Sequence, residues 1–595
     1  MKPKSLLLLL ALLLPGALPV LAQTAADAEV AAGRRIYLEG VLPDGKPLQG
    51  MRPDIGAVSG SAAACVSCHR GSGLGQVEGT TGIPPISGRT LFGGGEPVVV
   101  RMDRQFDRRV SVAHPPYSPE AFSAAVREGR HPDGRAMNAL MPHFALTEGP
   151  LRALAAYLQT LSPAMSAAVV GDTIHMATVI APGVEPARRQ AFVNTLTTAV
   201  QQMNINVMTG RRQKMVALEE RRLQSRRKWA LDIWELSGPS ETWAEQLVQR
   251  QKQQPVFALV SGLSNGEWQP VQDFCEARRV ACWFPSVDQV PADAAQSQFS
   301  LYFSGGVALE AQVMARRLKA DGGRIVQLVA PDAVARSAAA ALRQSLVAGS
   351  TDGTRLALQE VDAHADRATV QAAIAGLGAQ DTLVLWLRPA DVAGLAALAQ
   401  THARVLVSAS LGGDEQLALP ASLRQNATLV QPLELPRLRT VNVERLQAWL
   451  AASQVPLVDL RLQSEVFFAA GALQATLRGM LNNLHTDYLI ERAESTLGGF
   501  ETMQVQEEIQ AMMMAPMNKR PLQTAQATLA QAAATEALAK AQMAHLEEMR
   551  LRGGTTVYPR LSLAQGQRFA SKGAYLARLN PDAPGVTGEP EWVVP

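Results

Sequence analysis

The sequence predicts a multidomain protein in which an N-terminal all-α domain is followed by a two-lobed α/β domain. The chain has 595 residues, too many for one hydrophobic core. A C-x-x-C-H motif and a helical apolar pattern lie within residues 23–162. Short β-rich runs then alternate with helical stretches across residues 172–595, an order typical of parallel sheets covered by helices.

Residues 1–22 have the pattern of a signal peptide. Lys2 and Lys4 begin it, an apolar run from Leu6 to Leu14 is too short to span a bilayer, and small residues precede Gln23. We therefore expect export to the periplasm and a mature chain without a stable membrane span. An uncleaved membrane anchor is the alternative.

Composition and motifs narrow the function classes. The net charge is only +3, and no stripe of Lys and Arg interleaved with aromatic residues occurs, so no nucleic-acid partner is expected. The chain has no G-x-S-x-G elbow, P-loop or H-E-x-x-H motif. We therefore expect an electron carrier or binding protein and not an enzyme, although a role as an oxidoreductase subunit stays open.

The segment Cys65-Val-Ser-Cys68-His69 reads C-x-x-C-H, the attachment motif for c-type haem. Two thiols at this spacing add to the two haem vinyl groups, and the following His69 becomes an axial iron ligand. A redox dithiol or part of a zinc site would use the same residue types. The surroundings are rich in Gly and Pro, which disfavours the βαβ context of a redox motif, and no second Cys pair lies nearby.

A second axial ligand is expected downstream. Met141, followed by Pro142, offers a soft thioether, and Met137 is an alternative. His131 and His143 are further alternatives that would lower the reduction potential. A helix should follow with Thr147 as its cap, because apolar residues recur at helical spacing at Leu151, Leu154, Ala155, Leu158 and Leu161.

Together these motifs resemble a class I cytochrome c over about residues 30–162. Gly33-Arg-Arg-Ile-Tyr37 is similar to the N-terminal helix of that family, and Leu151 to Leu161 is similar to its C-terminal helix. Pro84-Pro-Ile86 is similar to the segment whose backbone carbonyl holds the proximal histidine. The resemblance implies one covalent haem c, held by Cys65 and Cys68, with His69 and Met141 on the iron.

After a linker at residues 163–171 the pattern changes. Most of the β-rich runs are followed by a stretch long enough for a helix. The predicted strands are Ile174–Ile180, Trp229–Leu236, Val256–Val260, Leu301–Ser304, Arg324–Val329, Leu356–Val361, Thr382–Leu387 and Val405–Ser408.

This order resembles the type I periplasmic binding-protein fold, which includes substrate-binding proteins of branched-chain amino-acid ABC transporters. The similar segments span roughly residues 172–580 and are Pro255–Gly262, Leu301–Gly306, Arg324–Val329, Tyr558–Arg560, Gly566–Arg568 and Lys572–Tyr575. Residues about 503–552 depart from that pattern and are predicted to form a helical insertion.

Polar and aromatic residues that follow the predicted strands are candidates for a ligand cleft, because such folds bind ligands at the carboxyl ends of their strands. Ordinary loop roles are the alternative for each. The candidates are Ser261, Ser264, Asn265, Trp268, Ser304, Gly305, Trp386, Arg388, Ser408 and Ser410.

Cys275 and Cys282 flank a predicted turn from a helix to a strand. In an oxidising compartment we expect a disulfide there, with a redox pair or two buried free thiols as alternatives.

The combined interpretation is a periplasmic mono-haem electron-transfer protein with a ligand- or partner-binding domain. Its expected redox partners are a periplasmic dehydrogenase and a second cytochrome or an oxidase. The alternative is a solute-binding protein or sensor of the ABC-transporter type, with a small-molecule ligand, in which the haem domain is ancillary.

Overall fold

The fold is taken from a computed structural model of the chain. It describes thirteen segments: residues 17–78, 81–93, 99–103, 106–109, 114–161, 166–212, 227–348, 357–395, 401–413, 417–480, 482–498, 556–559 and 561–595. Most of the predicted signal peptide and the whole predicted insertion at 503–552 lie outside these residues.

The chain forms two compact units. The first comprises Met1–Met165 with Asn483–Glu491, and the second comprises Ser166–Asn482 with Arg492–Pro595. The segment Asn483–Glu491 therefore differs from the predicted domain boundaries, which assigned it to the second domain. In the described part of the chain, no helix is long and apolar enough to cross a membrane.

Helices form the framework of the first unit. Ser118 caps one of them by accepting a hydrogen bond from the Ala121 amide, and Gly129 ends it in the left-handed conformation. Thr147 precedes the last helix as predicted, but its side chain makes no capping hydrogen bond. The helices are Ala17–Glu39, Val66–His69, Gly88–Phe92, Pro119–Glu128 and Glu148–Thr160.

The all-α prediction for this unit is wrong, because short antiparallel strands connect the helices. Strands β1 and β2 form a hairpin that also pairs with β7, and β3–β4 and β5–β6 form two further pairs. Segments this short carry too few residues for an alternating pattern to be recognised. The strands are β1 Gln49–Arg52, β2 Gly56–Ser59, β3 Gln76–Glu78, β4 Thr81–Ile83, β5 Val99–Asp103, β6 Phe106–Arg109 and β7 His143–Phe144.

The first and last helices of this unit cross at close range. A Cβ atom on Gly33 would lie 1.9 Å from the carbonyl oxygen of Ala153, so only glycine permits the approach. The rings of Tyr37 and Tyr157 lie 5.3 Å apart beside it. The two helices that the cytochrome resemblance selected therefore contact each other.

The first sheet of the second unit is parallel except for β8 and has the order β14-β12-β9-β11-β13-β15, with β10 and β8 also paired to β9. Its strands are β8 Val169–Val170, β9 Thr173–Ile180, β10 Lys228–Glu235, β11 Ala258–Val260, β12 Leu263–Ser264, β13 Ala281–Trp283, β14 Ser286–Val287 and β15 Ser300–Leu301.

The second sheet has the order β17-β16-β18-β19-β20-β21-β22 and is parallel up to β20, after which β21 and β22 add an antiparallel edge. Strands β16 and β18 are buried along their whole length, as expected for a sheet covered on both faces. The strands are β16 Ile325–Val329, β17 Leu358–Asp362, β18 Thr382–Trp386, β19 Arg404–Ser408, β20 Ala427–Gln431, β21 Ala574–Arg578 and β22 Glu591–Val593.

Helices connect the strands of both sheets, which confirms the predicted two-lobed α/β architecture. They are Pro186–Arg212, Trp243–Gln253, Gln269–Arg278, Val307–Asp321, Ala333–Ala348, Arg367–Ala375, Pro389–Gly394, Ala409–Gly412, Ala421–Arg424, Pro436–Ala452 and Leu460–Met480. All eight predicted strands are present. Seven differ by at most two residues at either end, whereas Leu301–Ser304 becomes the shorter β15 because the chain turns at Ser304 towards Gly306.

Candidate functional site

The C-x-x-C-H motif of the first unit forms one turn of helix. Cys65 precedes the helix, Cys68 lies within it, and His69 ends it. Both cysteines carry thiols and are half-buried, whereas His69 is buried. The side chains of Cys65, Cys68 and His69 therefore lie within one turn of helix and the residue that precedes it.

These side chains line a cavity of about 350 Å³ inside the first unit. Most of the lining is apolar and comes from the same residues that form the core of this unit, including Ile36, Leu48, Leu154 and Leu158. The chemically distinctive lining residues are Cys65, Cys68, His69, Pro84, His114, Tyr117, His131, Met137 and Met141.

A backbone carbonyl orients the imidazole of His69. The Nδ1 atom lies 2.9 Å from the oxygen of Pro84, and since a carbonyl only accepts, Nδ1 carries the hydrogen. This leaves the Nε2 lone pair available to a ligand. Burial lowers the pKa of His69 to about 4, so the ring is neutral at physiological pH. The predicted contact between the segment Pro84–Ile86 and His69 is confirmed, and the Pro84 carbonyl makes it.

Both methionines predicted as distal ligands line the cavity. Met137 and Met141 are half-buried and pack against the core of the unit. The loop that carries them is held by backbone hydrogen bonds from the Met137 amide to Gly129 and from the Met141 amide to Asn138, at 2.7 and 2.9 Å.

The histidine alternatives differ in position. His131 lines the cavity, with its Nδ1 atom 3.3 Å from the Tyr117 hydroxyl, and burial together with nearby Arg135 lowers its pKa. His143 lies in β7 with its ring against Gly129, and it is not among the residues that line the cavity. Geometry therefore favours His131 over His143 as a histidine alternative.

The candidates that follow the predicted strand Val256–Val260 make contacts within their own loop and with the segment Gly183–Arg188. Ser264 donates to the Glu267 carbonyl, and Asn265 contacts the Gly183 carbonyl and Arg188. Trp268 is buried against Gly262, so its assignment to an open cleft wall is wrong. The Ser261 hydroxyl and the Trp268 Nε1 atom are buried, and the described residues supply them with no hydrogen-bond partner.

The remaining cleft candidates also make contacts within the protein. Trp386 lies in the core with its Nε1 atom 2.6 Å from Gln327, so it is not a cleft residue. Arg388 pairs with Asp332, with its Nε atom 3.0 Å from a carboxylate oxygen. Ser304 accepts from the Gly306 amide, and the Ser408 hydroxyl and Ser410 amide both donate to Glu310. Each of these candidates is therefore hydrogen-bonded within the protein.

Sequence reasoning missed a buried charged cluster in the second unit. The Glu465 carboxylate accepts from Arg461 Nε and from the Tyr558 hydroxyl, both at 2.9 Å, and Arg461 also donates to Asp288 at 2.7 Å. Tyr558 stacks on Phe303 with ring centres 5.4 Å apart. Only the i, i+4 spacing of Arg461 and Glu465 was visible locally, and that spacing is also common on exposed helices.

The predicted disulfide between Cys275 and Cys282 is confirmed. It joins helix Gln269–Arg278 to β13, with the Cα atoms 6.0 Å apart and both residues buried.

Comparison with known proteins found no matching family model and no matching curated protein. Solved structures are similar to part of the chain. One is a putative branched-chain amino acid ABC transporter protein from Rhodospirillum rubrum, at 16% identity and TM-score 0.39, covering 54% of this chain and 89% of that one. Another is a fatty acid ABC transporter substrate-binding protein from Thermomonospora curvata, at 14% identity and TM-score 0.40, covering 72% and 94%. A third is a branched-chain amino acid transporter substrate-binding protein from Streptococcus pneumoniae with isoleucine, at 10% identity and TM-score 0.42, covering 71% and 100%.

Proposed function

We propose that the first unit is a mono-haem c-type cytochrome domain and that the protein transfers electrons in the periplasm. The observation that carries this proposal is a single apolar cavity of about 350 Å³ lined at once by Cys65, Cys68, His69 and two methionines. An imidazole, a thioether and two thiols are the groups that a covalently attached haem requires.

The chain's own residues fit this role. Cys65 and Cys68 would form the thioether links, and His69 would offer its Nε2 atom while Pro84 holds the opposite ring nitrogen. Met141 would be the distal ligand, with Met137 as the alternative from the same loop. The bound haem would exchange single electrons, and the apolar lining would keep water from its iron.

The proposed setting is the periplasm, where a dehydrogenase would supply electrons and another cytochrome or an oxidase would accept them. The signal-peptide pattern of residues 1–22 supports this setting, because covalent haem attachment takes place outside the bacterial cytoplasm.

A second candidate function is binding of a small solute by the second unit. It is favoured by the two mainly parallel sheets of this unit, in which loops such as residues 261–262 follow the carboxyl ends of the strands. Ligands of open α/β sheets bind at that edge. In this interpretation the haem domain is ancillary to transport or sensing.

A reduced-minus-oxidised visible spectrum tests the first candidate. Full-length protein exported from a strain that attaches haem should show a sharp c-type α-band, and Cys65→Ala/Cys68→Ala should abolish it. The matched control is Cys275→Ala/Cys282→Ala, which removes the same number of cysteines and should retain the band. A wild-type protein without the band would refute the cytochrome proposal.

The distal ligand is tested by Met141→Ala and Met137→Ala separately. Loss of the weak far-red iron–sulfur band in Met141→Ala alone, with haem still attached, supports Met141. Loss in Met137→Ala alone would transfer the role to Met137. Calorimetric titration with amino acids and fatty acids tests the second candidate, and tight binding that Ser261→Ala weakens would support it.

A further inference from the structure

Residues Asn483–Glu491 form part of the first unit although they lie more than 300 positions after its other residues. The Glu491 carboxylate contacts Ser72, three residues after His69. One oxygen accepts from the Ser72 amide and the other from the Ser72 hydroxyl, each at 2.6 Å. Two short hydrogen bonds to one residue fix both its backbone and its side chain.

The loop held in this way leads directly from the C-x-x-C-H motif. The Ser72 hydroxyl accepts a hydrogen bond from the Leu74 amide at 3.1 Å. The Gly75 amide donates one to the His69 carbonyl, also at 3.1 Å. A Cβ atom on Gly71 would lie 3.3 Å from a Glu491 oxygen, so the carboxylate lies directly against this turn. Glu491 therefore holds this loop from a distant part of the sequence.

The charged and titratable groups that act on Glu491 come from three elements. Arg70 is of opposite charge and belongs to the loop, Asp487 is of like charge and lies four residues before Glu491, and Tyr37 comes from helix Ala17–Glu39. Tyr37 also donates to the Arg70 carbonyl at 2.6 Å. Glu491 thus provides a half-buried carboxylate against Gly71 and Ser72, two and three residues after the end of the motif.

We infer that Glu491 is a positioning residue for the haem-binding loop: it anchors Ser72 and places a half-buried carboxylate beside the turn that follows the C-x-x-C-H motif, which lowers the reduction potential of the domain. The inference rests on the proposed cytochrome function. A negative charge near the iron stabilises the ferric state, which carries one more positive charge than the ferrous state.

The charge on Glu491 changes near neutral pH. Burial raises its pKa to about 7, against the opposing effects of Ser72 and Arg70. The carboxylate is therefore protonated below this value and ionised above it. The reduction potential should fall as the pH rises through this range, because only the ionised form favours the ferric state.

The decisive experiment is redox titration of the full-length holoprotein at one pH unit below and one above 7. Wild type should show a lower potential at the higher pH. Glu491→Gln, which keeps the shape but not the charge, should have a higher potential than wild type above pH 7 and a smaller pH dependence. The control is Glu128→Gln, an exposed acid of the same unit, which should match wild type. An unchanged potential and pH profile in Glu491→Gln would overturn the inference.

Hydrogen exchange provides a readout that needs no haem. In Glu491→Ala and in Ser72→Ala, the amides of residues 72–75 should exchange faster than in wild type, and in Glu128→Gln they should not. Unchanged exchange would refute the anchoring role even if the cytochrome proposal holds. Conversely, a wild type without haem would defeat the proposed function and the effect on potential, while exchange would still decide whether Glu491 anchors the loop.

Discussion

The two units use their interiors differently. In the first, the core surrounds a cavity, and the side chains with distinctive chemistry line it. In the second, large side chains such as Trp268, Trp283 and Trp386 fill the core, and buried charges such as Glu465 and Glu310 are hydrogen-bonded by neighbouring side chains. A cavity lined by ligating groups indicates a place for a non-protein group, whereas internally satisfied polar groups mainly hold a fold together.

This difference between the two interiors should affect the free energy of unfolding most in the first unit. Without a bound group, the mostly apolar lining of the cavity would be open to water, and this would weaken the core of the first unit. The first unit should therefore depend on the proposed haem for stability, and the second should not.

The largest expected effect follows from removing the haem links. Cys65→Ala/Cys68→Ala should lose most of the stability of the first unit, measured as loss of hydrogen-exchange protection in helix Glu148–Thr160. All eight tryptophans lie in the second unit, so tryptophan fluorescence reports its unfolding separately. That transition should be unchanged. If helix Glu148–Thr160 stays protected from hydrogen exchange without haem, the two units do not differ in their dependence on a bound group.

Next in size is the buried charged cluster of the second unit. Glu465→Ala leaves Arg461 and the Tyr558 hydroxyl without their shared acceptor and should destabilise this unit by about 3–5 kcal/mol. Urea unfolding followed by tryptophan fluorescence measures it, with the exposed Glu589→Ala as control. The haem spectrum should stay as in wild type, and an equal loss in both variants would contradict the structural role of the cluster.

A smaller effect is expected for the disulfide. Cys275→Ala/Cys282→Ala opens a short loop and should destabilise the second unit by about 2–3 kcal/mol in the chain-entropy model. Treatment of wild type with a thiol reductant should shift the fluorescence transition in the same direction. A transition that neither change affects would show that the cross-link is energetically neutral.

The smallest expected effect concerns Glu310 and appears only as a pH dependence. Burial raises the pKa of Glu310 to about 7, above the value of about 4.3 for an unfolded chain. The folded state therefore binds more protons between these values, and its stability falls as the pH rises through them. Glu310→Gln should be less stable than wild type near pH 4, and this difference should shrink near pH 8. An equal difference at both pH values would contradict the raised pKa.

Sequence reasoning worked best where the signal was local. The contact of the segment Pro84–Ile86 with His69 and the Cys275–Cys282 disulfide each involve residues within a short stretch or a strong family pattern. It failed for Trp268 and Trp386, because a residue at a strand end looks the same in a sequence whether it faces a cleft or the core. It also failed for the short strands β1 to β7, whose pairing partners lie in other segments.

The α/β alternation of the second unit and the set of groups suited to a haem can be read from neighbouring residues, because apolar runs and thiol spacing are local features of the chain. Packing between distant segments was needed to show that the methionines and His69 line one cavity, that Glu465 accepts from Arg461 and Tyr558, and that Glu491 anchors the loop after the motif. The last contact joins residues 419 positions apart. Such pairs depend on how the elements pack, and no local pattern of residue types encodes them.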